Sequence, residues 1–350
     1  MIKKTLYYDE MLILPEEFLE DYNSFKFSAK ELSNDELIAN GCNILLSRST
    51  IKVNEKLLNN VPLEYYATAT AGFDHVDVEY LSNNQVKYFI ASGCNSNSVA
   101  EYVLLNIARY RNIKSLKYTD LCIGIIGFGN IGRKVAYYCN LLGIKVLIND
   151  PILKENNFKF PEYFEYVDLE KLLKTANVIT NHVPYCDNGK YQTSNLLNEN
   201  LNLLQNNCLF IHSSRGGIVN ESLLINNIKE KNIFAVVDVW EDEPLLNNEL
   251  LTLCKIATPH IAGHTINAKL NASQMILNDM FMQGIANETF ILGNRKEEYT
   301  ILSNIIEKLE IARNRRKINE DSVWLKSNPN SFSEFRKNYP QRNESIFCKM

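Results

Sequence analysis

A glycine-rich segment, CIGIIGFGNIGRKVA at residues 122–136, constrains the fold of this 350-residue chain more than any other stretch. An apolar run leads into Gly127, and apolar residues at helical spacing follow Gly132. In this register the first glycine permits a tight turn, Gly129 lets a pyrophosphate approach the backbone, and the last allows close packing of helix on strand. The free N–H groups of the helix N-terminus favour a bound phosphate. The segment therefore predicts a strand, a turn and a helix that bind a dinucleotide.

A carboxylate ends the next apolar run. KVLIND, residues 145–150, finishes in Asp150, eighteen residues after Gly132, where the side chain can accept both hydroxyls of a ribose. The same charge repels a 2′-phosphate, and the following NDPILKENN contains no arginine. The spacing therefore predicts NAD as the cofactor and disfavours NADP. A glycine turn without a ligand is the alternative, because GxGxxG also occurs by chance.

Short apolar runs alternate with amphipathic segments, a pattern that predicts parallel sheets with helices on both faces. Nine runs have the character of buried strands, at residues 43–48, 63–70, 86–92, 121–127, 145–150, 177–183, 207–214, 233–240 and 255–260. Two successive blocks predict an α/β chain with two doubly wound, Rossmann-like domains. We expect one domain at 1–94 plus 265–286, a second domain with the glycine-rich segment at 95–264, and a small C-terminal α+β appendage at 287–350 that serves for oligomerisation or as a lid.

The composition is that of an ordinary globular protein, with 45% hydrophobic residues, 22% charged residues and a net charge of −4. This balance argues against nucleic acid as a partner, and the basic cluster at 313–317 is typical of a solvated helix face. The N-terminus resembles neither a signal peptide nor a membrane span, so we expect a cytoplasmic protein without a membrane partner. The eight cysteines are scattered, which favours reduced thiols over disulfides or a metal site.

Three separated polar residues follow consecutive predicted strands. Arg215 in SSRGG, Glu243 in WEDEP and His260 in TPHIAG each come shortly after an apolar run. Because ligands of an open parallel sheet bind at the carboxyl ends of its strands, we expect the three to converge. An arginine can bind a carboxylate through two hydrogen bonds, and a histidine beside a glutamate can exchange a proton during hydride transfer. Taken singly, they also fit a surface ion pair, a solvated loop acid and a turn residue.

These motifs, in this order and spacing, resemble the D-2-hydroxyacid dehydrogenases. The resemblance covers about residues 45–265 and rests on GFGNIG with its acid, SSRGGIVNESLL, DVWEDEP and TPHIAG. Further stretches narrow it to a branch that acts on a phosphorylated 2-hydroxy acid and carries a C-terminal dimerisation segment: RSTIKVNEKLL, ATATAGFDHVD, SGCNSNSVAEYV, NGKYQT and FRKNYPQRNE. The resemblance implies that a homodimer oxidises such a small molecule with NAD. It also implies that 1–94 plus 265–286 is a substrate-binding lid domain, that 95–264 binds NAD and that 287–350 is a dimerisation segment.

The resemblance also implies roles for single residues. Arg215 would bind the substrate carboxylate, His260 would be the general acid/base and Glu243 would orient it. Three positions match residues that contact substrate, namely Ser49, Thr70 and His264. The positions around NAD are Gly127, Gly129, Asn130, Ile131, Gly132, Asp150, Val183, Ser213, Ser214, Arg215, Asp238 and Gly263.

Two positions depart from the family pattern. His264 stands where a tyrosine is expected after HIAG, which leaves the exact substrate open, and Val183 replaces a small hydroxyl residue. Two other functions stay open: a dehydrogenase of the phosphoglycerate or glyoxylate type, and an NAD-responsive binding protein on the same fold. The intact Arg215, Glu243 and His260 favour an enzyme, because a binding protein needs no acid/base.

The remaining histidines and the aromatic tail have plainer interpretations. We expect His75 and His212 to be structural, and His182 to pack or hydrogen-bond near the cofactor cleft. The tail aromatics and cations fit either interface packing or contact with a substrate phosphate across a dimer: Phe332, Phe335, Tyr339, Arg336, Lys337 and Arg342.

Overall fold

The computed structural model describes residues 3–292 and 302–346. Its strands are β1 (Thr5–Asp9), β2 (Asn23–Phe27), β3 (Cys42–Ser47), β4 (Tyr65–Thr68), β5 (Lys87–Ile90), β6 (Cys122–Ile126), β7 (Lys145–Asn149), β8 (Glu165–Tyr166), β9 (Val178–Asn181), β10 (Leu209–His212), β11 (Phe234–Val237) and β12 (Ile256–Ala257). All nine predicted strands are present, whereas β1, β2 and β8 have no counterpart among the predicted runs.

Most of the helices lie between successive strands, and the last four follow β12. The helices are α1 (Glu16–Glu20), α2 (Asn34–Ala39), α3 (Glu55–Leu58), α4 (Val78–Asn83), α5 (Ser96–Ile113), α6 (Asn130–Leu141), α7 (Pro151–Glu155), α8 (Leu169–Thr175), α9 (Glu221–Lys231), α10 (Asn248–Leu253), α11 (Ile266–Met282), α12 (Leu302–Arg316), α13 (Ile318–Ser327) and α14 (Phe332–Lys337). Within the described residues, no helix is both long enough and apolar enough to span a bilayer.

The first structural unit contains the described residues up to 95 together with 266–292. Its five strands are parallel and lie in the order β2-β1-β3-β4-β5. Leu45 packs into a core on one face, and Leu46 packs on the other face, against Ile276 and Leu277 of α11. Burial on both faces explains why the central strands are continuous apolar runs.

The second unit contains residues 96–265 and 302–346. Its seven strands are also parallel, in the order β12-β11-β10-β9-β6-β7-β8, so that the strand order reverses between β6 and β9. In such sheets the ligand site lies outside the carboxyl ends of the strands at this reversal. The predicted α/β fold, with two doubly wound parallel sheets, is confirmed.

The C-terminal segment packs into the second unit. Ile305 and Leu309 of α12 join the core on one side, while Leu325 of α13 and Phe332 of α14 join the other. Across residues 302–346 the segment is helical and has no strand, whereas the sequence led us to expect a mixed α+β appendage. These tail helices complete the cores of the unit that carries the glycine loop.

The basic cluster at 313–317 is only partly the solvated face that its composition predicts. Arg313, Arg315 and Lys317 are exposed, but Arg316 is fully buried and forms an ion pair with Glu101 of α5 at 3.3 Å. The prediction that the whole cluster forms a solvated helix face is therefore wrong at Arg316. The sequence gives no signal for this pairing because the partners are 215 positions apart.

Candidate active site

The glycine loop has the geometry that a dinucleotide requires. Gly127 has a φ of +89°, and a Cβ atom at Gly132 would lie 2.1 Å from the carbonyl oxygen of Gly127, so neither position accepts a side chain. Gly129 is the N-cap of α6, and a Cβ atom there would meet nothing within 4 Å. The space before this helix is therefore open, and its N–H groups can receive a pyrophosphate.

Asp150 lies at the carboxyl end of β7, as predicted, and it also holds the glycine loop in place. One carboxylate oxygen accepts the N–H of Leu153 at 3.0 Å, and the other accepts that of Phe128 at 2.8 Å. A carboxylate has about four acceptor sites, so capacity for two ribose hydroxyls remains. Val183, a predicted cofactor position, lies against the turn, and its Cγ1 is 2.9 Å from where a Cβ atom at Gly127 would lie.

Buried polar groups follow β9 and β10 at the same sheet edge. The Ser214 hydroxyl donates to Asn181 Oδ1 at 2.5 Å. The Ser213 hydroxyl is buried and has no hydrogen-bond partner among the described residues. An unmet buried hydroxyl is costly, so this atom fits the polar groups of a bound cofactor. The residues present therefore fit NAD at this edge.

Asp238 organises the loop that carries His260. It is 1% exposed and accepts hydrogen bonds from the Thr258 hydroxyl at 2.6 Å and from the N–H groups of Ile261 and Ala262 at 2.8 and 2.9 Å. Burial raises the pKa of Asp238, against the lowering effect of its positive and hydrogen-bonding neighbours. These bonds offset the cost, about 1–3 kcal/mol, of the left-handed backbone at His260, whose φ is 56°. A loop-holding role thus accompanies the cofactor role predicted for Asp238.

His260 and Glu243 form a hydrogen-bonded pair. His260 Nδ1 lies 2.8 Å from Glu243 Oε2 and 3.1 Å from Oε1, and the Trp240 N–H donates to Oε1 at 3.0 Å. Burial would raise the pKa of Glu243, but the hydrogen bond and charge of His260 outweigh it and hold the pKa below its usual range. Glu243 is therefore the acceptor and His260 Nδ1–H the donor, which leaves Nε2 as the ring nitrogen not engaged by Glu243.

Arg215 lies three residues beyond β10. Glu243 follows β11 and His260 follows β12, and these three strands are neighbours in the sheet. Its guanidinium donates to the Ser214 carbonyl at 2.8 Å. A Cβ atom at Gly216 would lie 2.0 Å from the Trp240 carbonyl oxygen, so this glycine lets the Arg215 loop pass close to the Glu243 loop. The structure thus brings the three predicted residues to one sheet edge.

Ser49 and Thr70 lie in the first unit, after the adjacent strands β3 and β4. Ser49 is exposed, and the Thr70 hydroxyl donates to the Gly72 carbonyl at 2.9 Å. Two half-buried cations of this unit, Arg48 and Lys269, were not among the predicted site residues. Arg48 directly precedes Ser49 in the sequence, but no local pattern distinguishes Lys269.

His264 lies at the end of the loop that carries His260. Its N–H donates to the Ile261 carbonyl at 2.9 Å, and its ring meets Tyr339 edge-on at 6.2 Å between centroids. Arg342, one of the predicted tail cations, forms two 2.6 Å hydrogen bonds with Asp321, and the Tyr339 hydroxyl donates to the same carboxylate at 2.9 Å. The guanidinium of Arg342 is therefore held within its own chain.

Two other histidines are neutral structural residues, in line with their expected roles. His212 is 4% exposed and its Nδ1 lies 3.3 Å from Asn181 Oδ1. His182 keeps some surface, but its Nδ1 is inaccessible and its Nε2 lies 3.1 Å from the Thr180 hydroxyl. Burial lowers the pKa of each imidazole to about 3.

The comparisons with known proteins agree with this geometry. Residues 97–262 match the family described as "D-isomer specific 2-hydroxyacid dehydrogenase, NAD binding domain". A D-lactate dehydrogenase from Aquifex aeolicus, solved with NAD and lactic acid, is 25% identical with a TM-score of 0.63, covering 81% of this chain and 96% of that one. The chain belongs to the D-isomer-specific 2-hydroxyacid dehydrogenases and is an NAD-dependent enzyme.

The curated relatives are more specific. A protein of Wigglesworthia glossinidia brevipalpis named erythronate-4-phosphate dehydrogenase is 34% identical over 330 residues, which cover 92% of this chain and 82% of the relative. A protein of the same name from Bacteroides thetaiotaomicron is 36% identical over 304 residues, which cover 86% and 85%. The chain is thus similar over most of its length to erythronate-4-phosphate dehydrogenases.

Proposed function

We propose that this enzyme oxidises the 2-hydroxyl of 4-phospho-D-erythronate to 2-oxo-3-hydroxy-4-phosphobutanoate, a step in pyridoxal 5′-phosphate synthesis. The observation that carries the proposal is the 2.8 Å hydrogen bond between His260 and Glu243 at the edge where the family binds NAD. The names of the curated relatives, matched over 86% and 92% of the chain, support the choice of substrate.

Each of the three polar residues has a defined task in the reaction. Arg215 binds the substrate carboxylate through its planar guanidinium. His260 Nε2 takes the proton of the 2-hydroxyl, and the carboxylate of Glu243 stabilises the imidazolium that forms. NAD, when bound, would supply the acceptor for the hydride that leaves C2. The 2-hydroxy acid loses one proton and one hydride, so the products are the 2-oxo acid, NADH and a protonated His260.

The remaining residues are assigned to binding. Within the proposal, residues 95–264 form the domain that binds NAD. The residues that bind it are those of the glycine loop and Asp150, Val183, Ser213, Ser214, Arg215, Asp238 and Gly263. The first unit is the substrate-binding lid, in which Ser49 and Thr70 contact the substrate. His264 contacts it from the second unit, where its ring nitrogen takes the place of a tyrosine hydroxyl.

The proposal includes a cytoplasmic homodimer with the C-terminal segment at the interface. Exposed apolar side chains on the tail helices, Ile306 at 57% and Val323 at 66%, support an interface there. Seven free thiols, at Cys42, Cys94, Cys122, Cys139, Cys186, Cys208 and Cys254, support a reducing compartment.

A substrate panel tests the proposal. The purified protein is given NAD with 4-phospho-D-erythronate, 3-phosphoglycerate or glycolate, and NADH formation is followed together with reduction of the corresponding 2-oxo acids. We expect the largest kcat/KM with the four-carbon phosphate. A larger kcat/KM with either of the other acids would overturn the choice of substrate while leaving the reaction type in place.

A further inference from the structure

The carboxyl edge of the first unit's sheet carries an uncommon arrangement of charge. Arg48 follows β3, and its Nε donates to Asp9 Oδ1 at 2.8 Å. Asp9 is 1% exposed and also accepts the Thr50 hydroxyl at 3.2 Å and the Met11 N–H at 2.9 Å. The buried carboxylate of Asp9 therefore fixes the guanidinium of Arg48, while 29% of the Arg48 side chain stays exposed. The terminal NH₂ groups of Arg48 form no hydrogen bond with the described residues.

A second cation shares this edge. Lys269 lies in the first turn of α11, one turn before Ala272, which packs in an alanine cluster with Ala69 and Ala71. Those two residues flank Thr70, so the cluster places the start of α11 beside the loop after β4. Lys269 is half-buried, and within the described part of the chain its ammonium has no acidic partner.

The positive charges of Lys269 and Arg48 also repel each other. Burial, and after it the positive charge of Arg48, lowers the pKa of Lys269. Two cations with one carboxylate, Asp9, leave one uncompensated positive charge at a site that also holds the hydroxyls of Ser49 and Thr70. Half-buried cations without an acid are costly, and an anion that bridges them removes both the repulsion and the unmet donors.

We propose that Arg48 and Lys269 form a phosphate subsite in the first unit, which binds the phosphomonoester end of the substrate. A phosphate dianion offers three acceptor oxygens, enough for the free NH₂ groups of Arg48, the Lys269 ammonium and a neighbouring hydroxyl. The subsite explains selection of a phosphorylated acid, whereas Arg215 and His260 recognise features that every 2-hydroxy acid shares. The inference rests on the proposed function for the identity of the substrate but not for phosphate binding itself.

The test compares phosphorylated and unphosphorylated substrates. In Lys269→Met we expect KM for 4-phospho-D-erythronate to rise about 10- to 100-fold, the loss expected for a hydrogen bond to a charged group, with kcat nearly unchanged. The KM for D-erythronate should stay at the wild-type value. Arg48→Lys keeps the positive charge opposite Asp9 but loses the planar guanidinium. In this variant KM for 4-phospho-D-erythronate should also rise, by a smaller factor, while KM for D-erythronate stays unchanged. Lys56→Met, which removes an exposed lysine from α3 of the same unit, is the matched control and should change neither KM.

Inorganic phosphate separates this inference from the proposed function. Phosphate should raise the Tm of the wild-type protein and of Lys56→Met but not that of Lys269→Met. If the wild type fails to oxidise 4-phospho-D-erythronate but shows this phosphate response, the substrate assignment fails and the subsite stands. If the wild type turns over the substrate while Lys269→Met changes both KM values equally or neither, the subsite is refuted and Lys269 is a half-buried lysine whose ammonium only reaches water.

Discussion

Two acid–base side-chain pairs of the second unit, His260 with Glu243 and Arg316 with Glu101, differ in burial and in what surrounds them. The histidine pair is 2.8 Å apart, with 30% and 21% of the side chains exposed. The arginine pair is 3.3 Å apart, and both side chains are fully buried. Burial of a charge must be compensated by hydrogen bonds, so the buried pair needs many more partners than the exposed one.

The backbone supplies those partners. The Arg316 guanidinium donates to the carbonyls of Ser98 at 3.1 Å and Ala262 at 2.9 Å. Glu101 accepts the N–H groups of Ser345 and Ile346 at 2.6 and 2.8 Å. The arginine pair therefore fastens the C-terminal tail and the His260 loop to α5, whereas in the proposed reaction the histidine pair leaves Nε2 to exchange a proton.

The largest effect is expected from removal of the imidazole. His260→Ala should lower kcat by about 100- to 10,000-fold, because no other group takes the proton of the hydroxyl. NAD affinity and Tm should remain close to the wild-type values, since the pair contributes little to the core. Steady-state kinetics, with NAD binding measured by calorimetry, check this outcome. Turnover near the wild-type rate would contradict the role of His260 as the general acid/base.

Breaking the arginine pair should instead affect folding. Arg316→Met leaves Glu101 buried and unpaired, so the free energy of unfolding should fall by about 3–5 kcal/mol. Arg313→Met is the control, because it removes an arginine of the same helix whose pair with Glu310 is 55% exposed on both sides. Urea unfolding at neutral pH should show a loss of at most about 1 kcal/mol for this control. Equal losses in both variants would contradict the distinction by burial.

Neutralising the acid of the histidine pair sharpens the same contrast. Glu243→Gln keeps the shape of the side chain but no longer stabilises the imidazolium with a negative charge. We expect kcat to fall about 10- to 100-fold, in keeping with a hydrogen bond between charged groups. Glu241→Gln, two residues earlier and exposed, should leave kcat unchanged. A similar fall in both variants would indicate a general charge effect.

The smallest effect concerns a third acid, Glu344, which accepts hydrogen bonds from Ser98 and Thr265 beside the arginine pair. Burial raises its pKa above the usual range. Its contribution to stability is therefore complete below about pH 4 and is lost as the pH rises through the native pKa.

Glu344→Gln removes this titration. The free energy of unfolding of the variant should decline less than that of the wild type between about pH 4 and pH 7. Urea unfolding at both pH values measures the difference. A steeper decline in the variant would mean that the buried carboxylate is stabilised as an anion.

The second unit was largely predictable because its sheet is buried on both faces. Continuous apolar runs located β6, β7 and β9 to β12, and the polar residues that follow the last three strands proved to share one edge. Strand β2 was missed because NSFKF lies at the sheet edge and alternates polar residues, and β8 because it has only two residues. Strand β1 was missed as well, although it is an internal strand and mostly buried, so local patterns located most of the buried strands but not all of them.

Long-range charge pairing could not be predicted in this way. Arg316 belongs to a cluster of basic residues that looks solvated, and nothing within α12 indicates Glu101 as a partner. Nor did the sequence indicate that Lys269 and Arg48 share one edge of the first sheet, because most of the chain separates them. By contrast, the pairing of His260 with Glu243 could be inferred, because each follows an adjacent strand of one parallel sheet.

The two neutral histidines, His182 and His212, simplify spectroscopy of this enzyme. With pKa values of about 3, neither imidazole changes protonation between pH 5 and pH 8. In a proton NMR titration across that range, any imidazole resonance that moves by protonation of its own ring must belong to one of the other three of the five histidines. Comparison with the spectrum of His260→Ala would then identify the resonance of the proposed acid/base directly.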